Sequence, residues 1–100
     1  MTREDALRLI RQHADELRRA GVAHVSLFGS LARDEAGPQS DVDLVVEPAP
    51  GRPITLFTIG PLQDRFAAIL GRPVDVIAKS GFDAATRLKA RAADDLVPVF

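Results

Sequence analysis

Three short runs of this chain carry residue types able to do chemistry: Gly29-Ser30, Asp41-Val42-Asp43 and Asp75. Asp41 and Asp43 are two residues apart, so on an extended strand both carboxylates point to one face. Two ionised carboxylates side by side repel, and each raises the other's pKa unless a cation sits between them. The chain has no cysteine, and His13 and His24 have no partner in the sequence. The ligand set is therefore hard oxygen, which suits Mg²⁺ or Mn²⁺ rather than zinc. Mg²⁺ is commonly held by one or two carboxylates together with substrate phosphates, which points to a nucleotide. A D-x-D pair on its own is weak evidence, because such pairs are frequent.

Gly29-Ser30 follows an apolar-polar alternating run and opens a helical one. A glycine there lets backbone approach a phosphate, and the start of a helix offers unpaired N–H groups. Ser30 either caps that helix or donates its hydroxyl to a phosphate oxygen; an ordinary strand-to-helix turn reads the same way. On this reading Gly29→Val damages nucleotide binding more than folding. Asp75 lies between Val74 and Val76, with its side chain opposite to theirs. A carboxylate buried there without a partner would be costly. It belongs to a solvated face or to a metal site beside Asp41 and Asp43.

The elements that position these residues follow from periodicity. Leu7, Ile10, Ala14, Leu17 and Gly21 recur at helical spacing and predict one amphipathic helix over 2–20, capped by Thr2 and ended by Gly21. Its arginines, Arg8, Arg11, Arg18 and Arg19, are expected on a solvated face, paired with Glu4 and Asp15. Residues 23–28 alternate and predict a strand, 31–36 a short helix, and 37–40 a turn. Asp41 to Glu47 reads as a second strand with Leu44, Val45 and Val46 as a buried run, and 48–53 as a proline-rich loop. Leu62, Phe66, Ile69 and Leu70 predict a helix from about 61, with Pro61 in its first position. A start at Thr55 with Pro61 inside the helix is the alternative. Residues 73–78 read as a third strand. A last helix is expected over 83–94, capped by Asp83 with Ala85, Leu88 and Ala92 inward. Val97 to Phe100 is extended, and Pro98 confines it to a sheet edge. Such alternation predicts an α/β fold: a small mixed sheet of three to four strands with helices packed on it.

At 100 residues the sequence is read as one domain, 1–100. Its 46% of hydrophobic residues fill one modest core, and its five aromatic residues are all Phe. The absence of cysteine excludes disulfides and fits a reducing cytoplasm. A formal net charge of -1 lacks the basic excess of a nucleic-acid track. No apolar run approaches the length that spans a bilayer, and the charged start Met1-Thr2-Arg3-Glu4-Asp5 is unlike a signal peptide.

Gly29-Ser30, ten intervening residues (31–40) and Asp41-Val42-Asp43 together form a spacing with a name. The run GSLARDEAGPQSDVDLVV resembles the G-S-x10-D-x-D motif of the DNA polymerase beta nucleotidyltransferase superfamily, in particular its minimal nucleotidyltransferase (MNT) domains. The resemblance extends from the leading helix through Leu70-Gly71-Arg72-Pro73 to Val74-Asp75-Val76. It implies a polymerase beta-like fold and transfer of NMP from an NTP, with ATP the expected substrate. It assigns Asp41, Asp43 and Asp75 to divalent metal ions, Asp75 also to proton acceptance, and Gly29 and Ser30 to the β- and γ-phosphates. It further implies an antitoxin that modifies a tyrosine hydroxyl of a HEPN-type ribonuclease toxin. The alternatives are neutralisation of a toxin by binding alone, and transfer to a small molecule or an RNA end. Self-association stays open. Arg33 is a weaker candidate for phosphate contact. One departure stands out: family members often carry Gly after Ala-Arg, where this chain has Asp34.

Overall fold

A computed structural model describes residues 1–34, 41–86 and 96–100. The chain opens with α1 (Arg3–Gln12), α2 (Ala14–Arg19) and β1 (Val22–Phe28). A single turn, α3 (Gly29–Ala32), precedes β2 (Val42–Pro48), and α4 (Leu56–Leu70) leads to β3 (Val74–Ala78). α5 (Lys79–Thr86) and β4 (Val97–Pro98) complete the order. The four strands form one sheet in the order β3-β2-β1-β4. β1 runs antiparallel to both β2 and β4, while β2 and β3 are parallel, so the sheet is mixed as expected.

Thr2 caps α1 as the sequence predicts. Its Oγ1 accepts the Asp5 N–H and the Asp5 carboxylate accepts the Thr2 N–H, both at 3.2 Å. The hydrogen bonds from Thr2 hold the Asp5 carboxyl below the usual carboxylate range. The helix expected over 2–20 is two helices. At His13 the backbone leaves the helical well (φ -108, ψ 15), and α2 restarts with the Leu17 N–H bonded to the His13 carbonyl at 3.0 Å. Leu17 is then fully buried where α2 packs on β1.

α4 starts at Leu56, five residues ahead of Pro61, so the alternative reading is the correct one. Its first turn is held by two threonines: Thr55 Oγ1 accepts the Phe57 N–H at 3.2 Å, and Thr58 Oγ1 accepts the Thr55 N–H at 2.7 Å. Pro61 removes one helical donor, to the carbonyl of Phe57, and both residues are exposed, so water can reach that carbonyl. The helix ends at Gly71 in the left-handed conformation (φ 68).

One face of the sheet is covered by α1, α2 and α4. Ile10, Leu17, Val25, Leu27, Leu44, Val46 and Phe66 are wholly buried there, and each such side chain contributes about 1.5–3 kcal/mol on burial. Val99 joins this core, and the tail is fastened by arginines read as solvated. Arg11 Nε donates to the Val99 carbonyl at 2.8 Å, and the Arg18 guanidinium lies 4.9 Å from the Phe100 ring centre. Arg8 pairs with Asp5 rather than Glu4, while Arg18 pairs with Asp15. β4 lies at the sheet edge, where Pro98 costs no ladder bond. The last helix begins at Lys79 rather than at 83, so position 83 falls inside it and not ahead of its first turn. The turn 37–40 and the positions of Leu88 and Ala92 lie outside the described residues.

Candidate active site on the open face of the sheet

The opposite face of the sheet is where the carboxylates lie. β2 buries Val42, Leu44 and Val46 towards the helices, which turns Asp43 to the other side. β3 buries Val74 and Val76 and leaves Asp75 exposed. The parallel register pairs Asp43 with Asp75 directly across the two strands. On its other flank Asp43 is paired with Phe28, the last residue of β1. Asp41 immediately precedes β2 and is exposed; the strand starts one residue later than expected. α5 packs along the same face, with Phe82 buried and edge-on to Phe28 at 5.4 Å between ring centres.

Half-buried Asp43 is the electrostatic centre of this arrangement. Burial first, then the charges of Asp75 and Asp41, push its carboxyl above the usual carboxylate range. Like charges held together without an internal cation are a structural cost that a bound cation would reverse. Among the described residues, no three His, Cys, Asp or Glu side chains converge to hold a metal ion by themselves. The geometry fits an ion that completes its shell with phosphate oxygens, as hard Mg²⁺-type ions do.

Gly29 stands where β1 ends and α3 begins, with φ +75. A Cβ built on it would lie 2.6 Å from Asp43 Oδ2. The glycine therefore lets the turn bend and leaves room for the central carboxylate. Ser30 sits at the second position of α3; that helix has Phe28 at its N-cap and no side-chain cap, so Ser30 does not cap it. α3 is only four residues long, so its dipole is small and the backbone N–H groups matter more.

From residue 10 to residue 98 the sequence matches the nucleotidyltransferase domain family. This chain belongs to that family. It is 37% identical over 83 residues, 80% of each chain, to the protein adenylyltransferase MntA of Thermococcus cleftensis. A solved structure described as a candidate minimal nucleotidyltransferase is 35% identical, with a TM-score of 0.74 over 98% of this chain and 96% of that one. A complex of a tri-AMPylated HEPN toxin with an MNT antitoxin from Shewanella oneidensis is 18% identical, with a TM-score of 0.65 over 99% of this chain and 72% of that one. At that identity the likeness speaks for the fold alone.

The nucleotidyltransferase domain holds its α3 turn by a contact that sequence reading missed. Asp34 adopts φ 59 and is the one non-glycine residue with positive φ among the described residues. The turn after α3 thus calls for a left-handed residue, a conformation that a glycine would adopt without cost. Aspartate tolerates that conformation better than most residues do. Its Oδ1 accepts the Arg3 N–H at 3.3 Å, and Arg3 Nη1 donates to the Ala32 carbonyl at 3.1 Å. The extra carboxylate is tied to the start of α1. Replacing Asp34 with Gly is expected to stabilise the domain by about 0.5–1 kcal/mol through relief of that backbone strain. Urea unfolding would show it, and a loss of stability would mean that the contact to Arg3 outweighs the strain.

Proposed function

We propose that this single nucleotidyltransferase domain transfers AMP from ATP to a tyrosine hydroxyl of a HEPN-type ribonuclease and thereby acts as its antitoxin. The observation that carries the chemistry is the register pairing of Asp43 with Asp75 beside the Gly29 turn. The identity to a named protein adenylyltransferase over 80% of both chains supports a protein acceptor. The complex of an MNT antitoxin with an AMPylated HEPN toxin shows the same fold in that setting.

In this reading Asp41, Asp43 and Asp75 hold Mg²⁺ or Mn²⁺, and the bound ions supply electrostatic stabilisation of charge on the transferring group. The backbone at Gly29 and the Ser30 hydroxyl bind the β- and γ-phosphates. Asp75, exposed at the mouth of the site, accepts the proton of the attacking hydroxyl. A bond forms between the tyrosine oxygen and the α-phosphorus, the bond from that phosphorus to the bridging oxygen breaks, and pyrophosphate leaves. The cytoplasm is the proposed setting; among the described residues no helix is long and apolar enough to cross a membrane.

Labelled ATP tests this reading. With the domain, Mg²⁺ and a HEPN-type protein, label on the α-phosphate is expected on the acceptor and label on the γ-phosphate in released pyrophosphate. Acceptor labelled from the γ-position would make the reaction phosphoryl transfer and overturn the proposal.

A further inference from the structure

α3 carries Gly29 and Ser30 but is too short to hold its own shape. It is four residues long, and the Arg33 N–H closes its one turn on the Gly29 carbonyl at 3.3 Å. A helix of that length does not persist on its own hydrogen bonds. Leu31 and Ala32 anchor it from within, both buried in the core. The other anchor is Arg3, the first residue of α1. Its N–H donates to Asp34 Oδ1 at 3.3 Å, and its Nη1 donates to the Ala32 carbonyl at 3.1 Å. Each bond satisfies a group that a helix end leaves without an internal partner: an N–H at the start of α1 and a carbonyl at the end of α3. The charges agree with the polarity of those ends, a carboxylate at the first and a guanidinium at the second. Asp34 holds φ 59 while it accepts this bond, and a strained residue persists where its surroundings fix it.

We propose that Arg3 is a positioning residue for the nucleotide: through Ala32 and Asp34 it holds α3 in the form in which Gly29 and Ser30 receive the phosphates. The inference rests on the reading of those two residues as phosphate-binding groups. Ser30 and Ala32 belong to the same single turn, so a shift of the Ala32 carbonyl is passed on to the Ser30 backbone and hydroxyl. Without the guanidinium the turn samples other forms. ATP then binds only the competent fraction, and its apparent affinity falls in proportion. The loss is bounded by what the bond itself contributes, roughly five- to tenfold for one hydrogen bond. Arg11 supplies the comparison. Its Nε donates to the Val99 carbonyl at 2.8 Å, a bond of the same kind between distant parts of the chain, made at the tail rather than at α3.

The test compares Arg3→Met with Arg11→Met, since methionine keeps much of the apolar stem and removes the donors. Binding of ATP with Mg²⁺ is followed by titration calorimetry well below the melting temperature, stability by thermal unfolding without ligand, and transfer to a HEPN-type protein by steady-state kinetics. In Arg3→Met, ATP binding is expected to weaken about five- to tenfold. KM for ATP should rise to match, with KM for the acceptor unchanged. Arg11→Met should lower the melting temperature and leave ATP binding as it is. Arg3→Lys, which keeps one charged donor, is expected between wild type and Arg3→Met, and it decides the point if Arg3→Met does not fold. Unchanged ATP binding in Arg3→Met would overturn the inference. Equal weakening in both arginine variants would do the same, because the effect would then be a general loosening. ATP binding that also loses part of its salt dependence in Arg3→Met would make Arg3 a direct phosphate ligand and overturn the positioning role. A wild-type domain that binds no ATP would remove the phosphate reading and this inference with it. If the wild type binds ATP but labels no acceptor, the proposed function fails while the titration still decides the role of Arg3.

Discussion

Replacing Asp43 with asparagine is expected to end nucleotidyl transfer and, in the same protein, to raise the melting temperature measured without metal. The two effects have one origin. Asp43 is half-buried beside Asp75 and Asp41, and its carboxyl is pushed above the usual range by burial and then by those two charges. A carboxyl whose folded pKa is raised binds more protons in the folded than in the unfolded state between its unfolded and folded values. Stability therefore falls as pH rises through that window, which begins near the ordinary carboxyl value of about 3.9. Above it the full cost of the charge is present. Asparagine keeps the shape and carries no charge, so the variant should be the more stable protein at neutral pH, and the advantage should fade as pH falls through that window and be gone below about 4. Bound divalent ions should reverse the order, because only the wild type gains a ligand charge. Activity should drop by about 10³-fold or more, since electrostatic stabilisation of the transferring group commonly contributes most to the rate of such reactions. Melting curves at several pH values, with and without Mg²⁺ and ATP, check the prediction. A metal-free variant less stable than wild type at neutral pH would contradict this electrostatic account of Asp43.

Gly29→Val is expected to lose transfer by a different route, through the backbone and through Asp43 together. The sequence alone places the damage in nucleotide binding more than in folding. The structure moves much of it into the fold. At φ +75 any side chain costs roughly 1–2 kcal/mol, and a β-branched one more. The Cβ would meet Asp43 Oδ2 at 2.6 Å, and relief requires that carboxylate to swing out of its place beside Asp75. Gly29→Ala isolates the second effect. Its destabilisation should shrink by about 1 kcal/mol in an Asp43→Ala background, where nothing remains to collide, as a double-mutant cycle would measure. Purely additive effects would mean that only the backbone angle matters, and that Gly29 makes no room for the carboxylate.

The carboxylate geometry was legible because it depends on strand alternation and on little else. Asp43 and Asp75 each sit between buried aliphatic neighbours, so the face each must occupy is set by burial of Val42, Leu44, Val74 and Val76. The parallel pairing that brings them together is a topological fact that strand alternation does not show; the crossover through α4 permits it. The start of α4 was harder to read. Pro61 is a strong stop signal, while the threonine pair that begins the helix lacks the acidic or amide partner by which capping boxes are usually recognised. The break at His13 was not legible at all, since Leu7, Ile10, Ala14 and Leu17 keep helical spacing across it. Asp34 stands out in the sequence as a departure, but a one-letter sequence does not show that the position needs a left-handed backbone. The arginines of α1 and α2 looked solvated because their partners are carbonyls and a ring at the far end of the chain.

The central claim is that this domain adds a nucleoside monophosphate to a tyrosine of a partner protein, and intact-mass spectrometry of that partner tests it most directly. A HEPN-type protein incubated with the wild-type domain, ATP and Mg²⁺ should gain the mass of one or more AMP groups, mapped by peptide sequencing to tyrosine. With Asp43→Asn the mass should stay unchanged while a pull-down still recovers both proteins. A partner that is bound and silenced by the wild-type domain yet gains no mass with any of the four NTPs would contradict the claim, and would leave a domain that neutralises by binding alone.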